Sequence, residues 1–289
     1  MKILIRASLI LGCAIWLLLS AAHAGTPYIV PDNARNLTGG RAVEVVVGQA
    51  EIGSNINPSN IGMAAGGGLL AGLVESAVNA EKAKKAEAAI TPLRDALHGV
   101  DADGLAVTTT QNALSHIDWI PSDAIKFSKD STPSGKSAFL DSAGAAHAVF
   151  FDYSYDFTPD FASVRVILHV QMANTAPAGS TPEARLKPAK LAYAQTITSM
   201  VQLSVTTKSN DERIQLWAAG DGKLARSALT LAFSDIEQVL PRVLQLTDSE
   251  YNAVKGLRKG FAVDAQAPDK GWVIVSGNGI FMVGILPVG

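Results

Sequence analysis

The chain has 289 residues, a formal net charge of −2 and one cysteine, Cys13. Its length fits one large domain or two small ones. Hydrophobic residues at 48% against charged residues at 17% exclude a wholly disordered chain. The small net charge excludes a global basic field for nucleic acid, and one thiol excludes an internal disulfide or a CxxC-type metal site.

Residues 1–24 read MKILIRASLILGCAIWLLLSAAHA. Lys2 and Arg6 make a basic start, and residues 7–22 form an uncharged, mostly apolar run. Ala22 and Ala24 are small residues at the two positions a signal peptidase reads. This layout predicts a secretory signal cut between Ala24 and Gly25. The run is short for a helix crossing about 30 Å of hydrocarbon, which takes about 20 residues. A lipoprotein signal ending at Cys13 fits poorly. Leu11 stands where a small residue is usual, and the apolar run continues from Ala14 to Leu19. The expected location is the periplasm.

Residues 25–40 contain Pro27, Pro31 and paired glycines, and read as an extended leader. Residues 41–289 read as one domain. Val43, Val45, Val46 and Val47 predict a strand over 41–49. Residues 51–61 are polar, with Pro58, and read as a loop. From Ile61 a glycine-rich apolar segment leads into an alanine- and lysine-rich stretch. Leu69, Leu70, Leu73, Val74, Ala77 and Val78 recur there at helical spacing. Thr91-Pro92 predicts a helix start, with Gly99 past its end. Asp101 or Asp103 caps a further helix to about His116. Residues 128–135 (SKDSTPSG) read as a surface loop.

Phe151, Tyr153, Tyr155 and Phe157 alternate with polar residues, and so do Val164, Val166, Leu168, Val170 and Met172. Thr158-Pro159-Asp160 between them predicts a hairpin. Residues 176–188 hold three prolines and read as a longer loop. A third strand over 191–205 completes an antiparallel meander. Ser209-x-x-Glu212 is a capping box for a helix that Gly220-Asp221-Gly222 breaks. Leu229, Phe233, Ile236, Leu240 and Val243 then form the stripe of an amphipathic helix. Thr247-x-x-Glu250 is a second capping box, with its helix ending at Arg258-Lys259-Gly260. Gly277-Asn278-Gly279 joins a C-terminal hairpin. Segregated runs of helices and strands predict an α+β fold: an antiparallel sheet, meander plus hairpin, with helices on one face.

Candidate chemistry is sparse. After residue 24 there is no cysteine and no GxSxG elbow. His98 and His116 sit near predicted helix ends, beside the helix dipole. His147 is the third histidine. His169 lies inside a strand, on its less buried face. No HxxxH, HExxH or CxxC pattern is present, and Asp101-Ala-Asp-Gly104 lacks the rest of a calcium loop, so no metal or other cofactor is expected. Asp152, Asp156 and Asp160 lie around the hairpin, where three acids could bind a cation weakly but more often serve as solvent-facing partners for Lys and Arg. Asp152, Asp156 or His169 are the groups from which a fold could assemble a hydrolase site. The glycines fit neither GxxxxGK[ST] nor GxGxxG. Gly62 and Gly66 are four apart, as are Gly68 and Gly72, which predicts a flat helix face for close packing. Buried packing, self-association and contact with a membrane, without spanning it, are its readings. No nucleic-acid partner is expected.

The stretches Gly66-Gly-Gly-Leu-Leu70, Thr91-Pro-Leu-Arg-Asp-Ala-Leu97 and Leu216-Trp-Ala-Ala-Gly-Asp-Gly-Lys-Leu224 resemble segments of a group of exported bacterial proteins and lipoproteins of unknown function. The resemblance implies a bacterial cell-envelope setting and carries no catalytic residues. Together these features predict a non-enzymatic envelope protein that binds a partner or itself. A periplasmic hydrolase and a peripheral membrane protein acting through residues 61–74 are the alternatives. N-terminal sequencing of the exported protein should begin at Gly25. A chain starting at Cys13 with added acyl mass would overturn that expectation.

Overall fold

The computed structural model describes residues 29–36, 40–54, 90–145, 147–174, 191–204, 209–254, 260–262, 272–276 and 279–286, with a few isolated positions besides. The signal segment, with Cys13, Ala24 and Gly25, lies outside the described residues. So do Gly62, Gly66, Gly68 and Gly72, and the linker at 176–180.

In chain order the elements are α1 (Asp32–Arg35), β1 (Arg41–Val46), β2 (Gly53–Ser54), α2 (90–97), α3 (Ala102–Leu114), β3 (Ile125–Ser128), α4 (Pro133–Ser142), β4 (His147–Phe157), β5 (Ser163–Asn174), β6 (Leu191–Leu203), α5 (Asn210–Gln245), α6 (Asp248–Val254), β7 (Gly260–Ala262), β8 (Trp272–Ser276) and β9 (Gly279–Leu286). The fold is α+β. One sheet holds nine described strands in the order β3-β1-β4-β5-β6-β9-β8-β7, with β2 beside β4.

The meander forms as the alternation predicts. β4 pairs antiparallel with β5, Phe157 opposite Val164, and β5 pairs antiparallel with β6. The C-terminal strands β8 and β9 are antiparallel as well. The sheet as a whole is mixed, however, which corrects the wholly antiparallel expectation. β1 runs parallel to both β3 and β4, and β6 runs parallel to β9. Parallel neighbours need long crossovers, and these edges are joined through helices.

The helices also occupy both faces. Val149, Phe151, Tyr153, Tyr155 and Phe157 belong to the main core with α3 and α5, whereas Ala148 and Phe150 pack with Phe139 and Leu140 of α4. Adjacent strand residues point to opposite faces, so α4 lies across the sheet from α3. From β1 to β3 and then from β3 to β4 the chain moves in opposite directions across the sheet. Two such crossovers keep the same hand only if their helices lie on opposite faces.

Several local readings shift. Residues 25–40 are not extended throughout. α1 forms there, and Val30 and Ala34 are buried in the main core. Arg35 Nη2 donates to the Leu246 carbonyl at 2.7 Å, and Arg41 Nη2 donates to the carbonyls of Ala34 and Arg35. Ile90 is already helical, so Thr91-Pro92 lies within α2 and does not start it. The same threonine-proline signal does open α4, where Thr132 accepts from Gly135 N and Pro133 fills the first turn. Residues 128–135 are therefore partly helical rather than a loop. α6 is described as far as Val254, and Gly260 opens β7; the expected helix end at Arg258-Lys259 lies outside the described residues.

Other signals hold. Asp101 caps α3 by accepting from Gly104 N at 2.8 Å. Ser209 and Glu212 form both bonds of the capping box of α5. Thr247 and Glu250 do the same before α6. Leu229, Phe233, Ile236, Leu240 and Val243 are all buried. Burying such a side chain contributes about 1.5–3 kcal/mol. At the hairpin turn Phe161 adopts φ +53, and its carbonyl accepts from the buried Trp217 Nε1 at 2.8 Å.

The break in α5 is a run of left-handed residues, Gly220, Asp221 and Gly222. A Cβ at Gly220 would meet open space, but one at Gly222 would fall 2.7 Å from the Ala96 carbonyl oxygen. G220A should therefore cost about 1–2 kcal/mol, the left-handed penalty alone. G222A should cost clearly more in the same urea denaturation series, because α2 must also move. Equal costs would show that α2 does not press on the break.

Candidate functional site

The face of the meander opposite the main core collects the polar side chains. Since Phe151, Tyr153, Tyr155 and Phe157 point into the main core, Asp152, Ser154 and Asp156 must point the other way. The register then decides their neighbours. Asp152 stands opposite His169, and Asp156 opposite Arg165. His169 in turn stands opposite Thr196 on β6.

Each group has a partner. Lys136, reaching down from α4, donates from Nζ to Asp152 Oδ2 at 2.7 Å and to Gln171 Oε1 at 3.2 Å. Its ammonium also lies 5.7 Å from the centre of the Phe150 ring. Arg165 grips Asp156 with two bonds, both of 2.8 Å. His169 Nδ1 and Thr196 Oγ1 are 2.9 Å apart.

The environment shifts several of these groups. Burial raises the Asp156 carboxyl, and the Arg165 guanidinium opposes it. His169 reaches solvent, yet the sheet surface beneath it excludes enough water to hold its imidazole below the ordinary value. Asp152 pulls against that shift and Lys136 adds to it. Glu44 on β1 is the most perturbed carboxyl of the cluster. Its residue is 6% exposed and its Oε2 has no hydrogen-bond partner among the described residues. Burial pushes it up to about 7, against the attraction of Lys136.

The three hairpin acids do not converge on one point; each lies beside a basic side chain instead, Asp152 by Lys136, Asp156 by Arg165 and Asp160 by Arg213. Asp152 and Asp156 are four residues apart on one strand, about 13 Å at 3.3 Å per residue. Asp160 sits in the turn, where it accepts from Thr158 Oγ1 at 2.7 Å and Ala162 N at 3.2 Å. Burial alone would raise it, but these bonds and Arg213 hold it below the usual range. His98 follows α2, His116 follows α3, His147 opens β4 and His169 lies on β5, so the four histidines among the described residues stand at separate places in the fold. Among the described residues no cluster of three His, Cys, Asp or Glu suits a metal ion. Among them, too, no helix is long and apolar enough to cross a membrane.

Sequence reasoning missed Lys136 and Glu44. Lys136 sits just beyond the stretch read as a loop. The signal for its helix was Thr132-Pro133. Glu44 is a lone acid in a valine run, on the opposite parity to Val43, Val45 and Val47, which marks it as facing away from the main core.

Two cavities, of about 620 and 340 Å³, lie away from this strip. The first is bounded by α1 and the α5–α6 joint, the second by α2 and the segment before β2. The strip itself is a sheet surface. Beyond it toward β9 the same face carries Ile167, Met200 and Phe281, partly exposed, and Val283, which is 46% exposed. No family model, curated protein or solved structure matches the chain.

Glu44 supplies a pH test. A carboxyl raised in the folded state stabilises the fold below its unfolded value, and this is lost as pH rises through about 7. E44Q should leave stability near pH 4.5 almost unchanged. At pH 8 it should raise stability by about 1–2 kcal/mol, with screening by solvent allowed for. Urea denaturation at the two pH values reads this. A variant equally or less stable at pH 8 would show that Lys136 fully compensates the Glu44 charge.

Proposed function

We propose that the chain is an exported cell-envelope protein that works as a non-enzymatic binding module, using the open face of its sheet. One observation carries the reading: Lys136, Asp152, Arg165 and Asp156 on that face are already paired with one another, and apolar side chains lie beside them. Lys136 is engaged by Asp152, and Arg165 by Asp156. Groups held this way are poor acids, bases or nucleophiles, because each would first have to leave its partner. Ile167, Met200, Phe281 and Val283 offer a partner apolar area bordered by a neutralised polar strip, as interface cores with polar rims do. The export signal and the resemblance to exported bacterial proteins support the envelope setting. The partner is another envelope protein or a second copy of the chain.

A hydrolase is the second reading, favoured by the cross-strand position of Asp152 beside His169. It requires His169 to exchange Thr196 for a substrate proton. A screen of generic ester, phosphate and peptide substrates, with H169Q as the matched blank, tests it.

For the leading reading, a photo-crosslinking residue placed at Val283 in cells should capture a discrete partner. The same residue at Gln238, exposed on α5, should not. V283D should reduce co-purification of that partner at least tenfold. Equal capture from both positions, or none from Val283, would overturn the reading.

A further inference from the structure

The cavity of about 620 Å³ lies where α1 meets the joint between α5 and α6. Its walls combine apolar side chains, Ile29, Val30, Leu246 and Tyr251, with Arg35. Arg35 is the unusual member. Its side chain is only 19% exposed, and the carboxylate it meets among the described residues, Asp32, is 3.9 Å away and 92% exposed. An exposed pair at that distance contributes little. A largely buried cation without a close counter-ion is costly. Nη2 is used by the Leu246 carbonyl, but Nε is buried without a hydrogen-bond partner among the described residues.

Beside α1, though not lining the cavity, Arg41 Nε and Trp119 Nε1 are also buried with no hydrogen-bond partner among the described residues, and the Arg41 guanidinium lies 5.2 Å from the Trp119 ring centre. The Tyr193 hydroxyl, on a fully buried residue and without a hydrogen-bond partner among the described residues, lies in the electrostatic field of Arg35. All four groups can donate hydrogen bonds. Buried donors without acceptors cost about 1–3 kcal/mol each. Asp32 and Asp248 border the cavity too, but both are exposed, where water and salt screen them. Of the three charged residues that line the cavity, Arg35 is the cation and the least exposed.

We propose that this cavity binds a small amphipathic anion, its head group on Arg35 and its apolar body against Ile29, Val30, Leu246 and Tyr251. A pocket with an apolar lining and one fixed polar anchor suits such a molecule, and a guanidinium takes a carboxylate or phosphate head equally well in geometry. The proposal is independent of the open sheet face and stands or falls without it.

The test is isothermal titration of the purified protein with decanoate and decyl phosphate, below their micellar concentrations, against decanol and decyltrimethylammonium. At least one anion should bind saturably at one site, at least tenfold tighter than decanol, with no binding of the cation. The anion preferred identifies the head group. R35Q should weaken binding at least tenfold. Because R35Q also loses the bond that holds α1, a second variant, S249W, places an indole at the cavity wall from an exposed position and leaves Arg35 intact. It should abolish binding with the circular dichroism spectrum unchanged. Absence of saturable binding by either anion, equal binding of decanol, or anion binding retained in S249W would overturn the proposal.

Discussion

The structure depends on one packing constraint: the apolar stripe of α5 lies against the alternating aromatic and aliphatic side chains of the meander. Tyr153 and Phe233 are 5.6 Å apart between ring centres, and Phe157 meets Trp217 edge-on at the same distance. Once those side chains are committed to α5, the pleat leaves no freedom for their neighbours. Asp152, Asp156, Arg165, His169 and Gln171 must all emerge on the opposite face. The polar strip is thus the complement of the core. A shift of register by one residue would bury its charges and expose the aromatics.

The strip in turn depends on α4. This helix has a small apolar footing, chiefly Phe139 against Phe150 at 5.7 Å and Leu140 nearby. Its more specific tie is Lys136, whose ammonium is buried among Asp152, Gln171 and the Phe150 ring. A buried pair is weak evidence of stability, because desolvation offsets the attraction. Here it fixes position: a lysine at one point on the helix meets an aspartate at one point on the strand. Glu44, next to this pair, is left with the burial and little of the compensation.

Much of this was legible in the sequence where the signal was local. The two capping boxes, the stripe of α5, its glycine break and the meander all rest on residues within one or two turns of each other, and each formed where its residues placed it. The parallel pairings of β1 with β3 and β4 were not legible, because nothing in Val43–Val47 or Ile125–Ser128 encodes which distant strand lies alongside. α4 was hidden by composition, since Ser, Lys, Asp, Pro and Gly over 128–135 outweighed a valid cap. The leader was misjudged for a related reason. Its prolines and glycines suggested an extended path, while the burial of Val30 and Ala34 depends on a groove that only the folded domain supplies. Within the site, the alternation of Asp152 and Asp156 with aromatics announced their shared face, but their partners, Lys136 and Arg165, were fixed by register and by an overlooked helix.

The wiring of the sheet also divides folding into unequal steps. The meander joins strands that follow one another in the chain, so its loops close over short distances. The pairing beside it does not: Gln49, just after β1, uses its side-chain amide to bond the backbone of Tyr155 on β4, a partner 106 residues away. Loop closure over such a span costs entropy before any contact rewards it, and long-range parallel pairing is correspondingly slow. Until β1 and β9 arrive, β4 and β6 are bare strand edges able to recruit other chains. A chain that built its meander first would have its centre formed and both flanks open. How long it stayed so would depend on how quickly the distant segments found it rather than on how well the centre was packed.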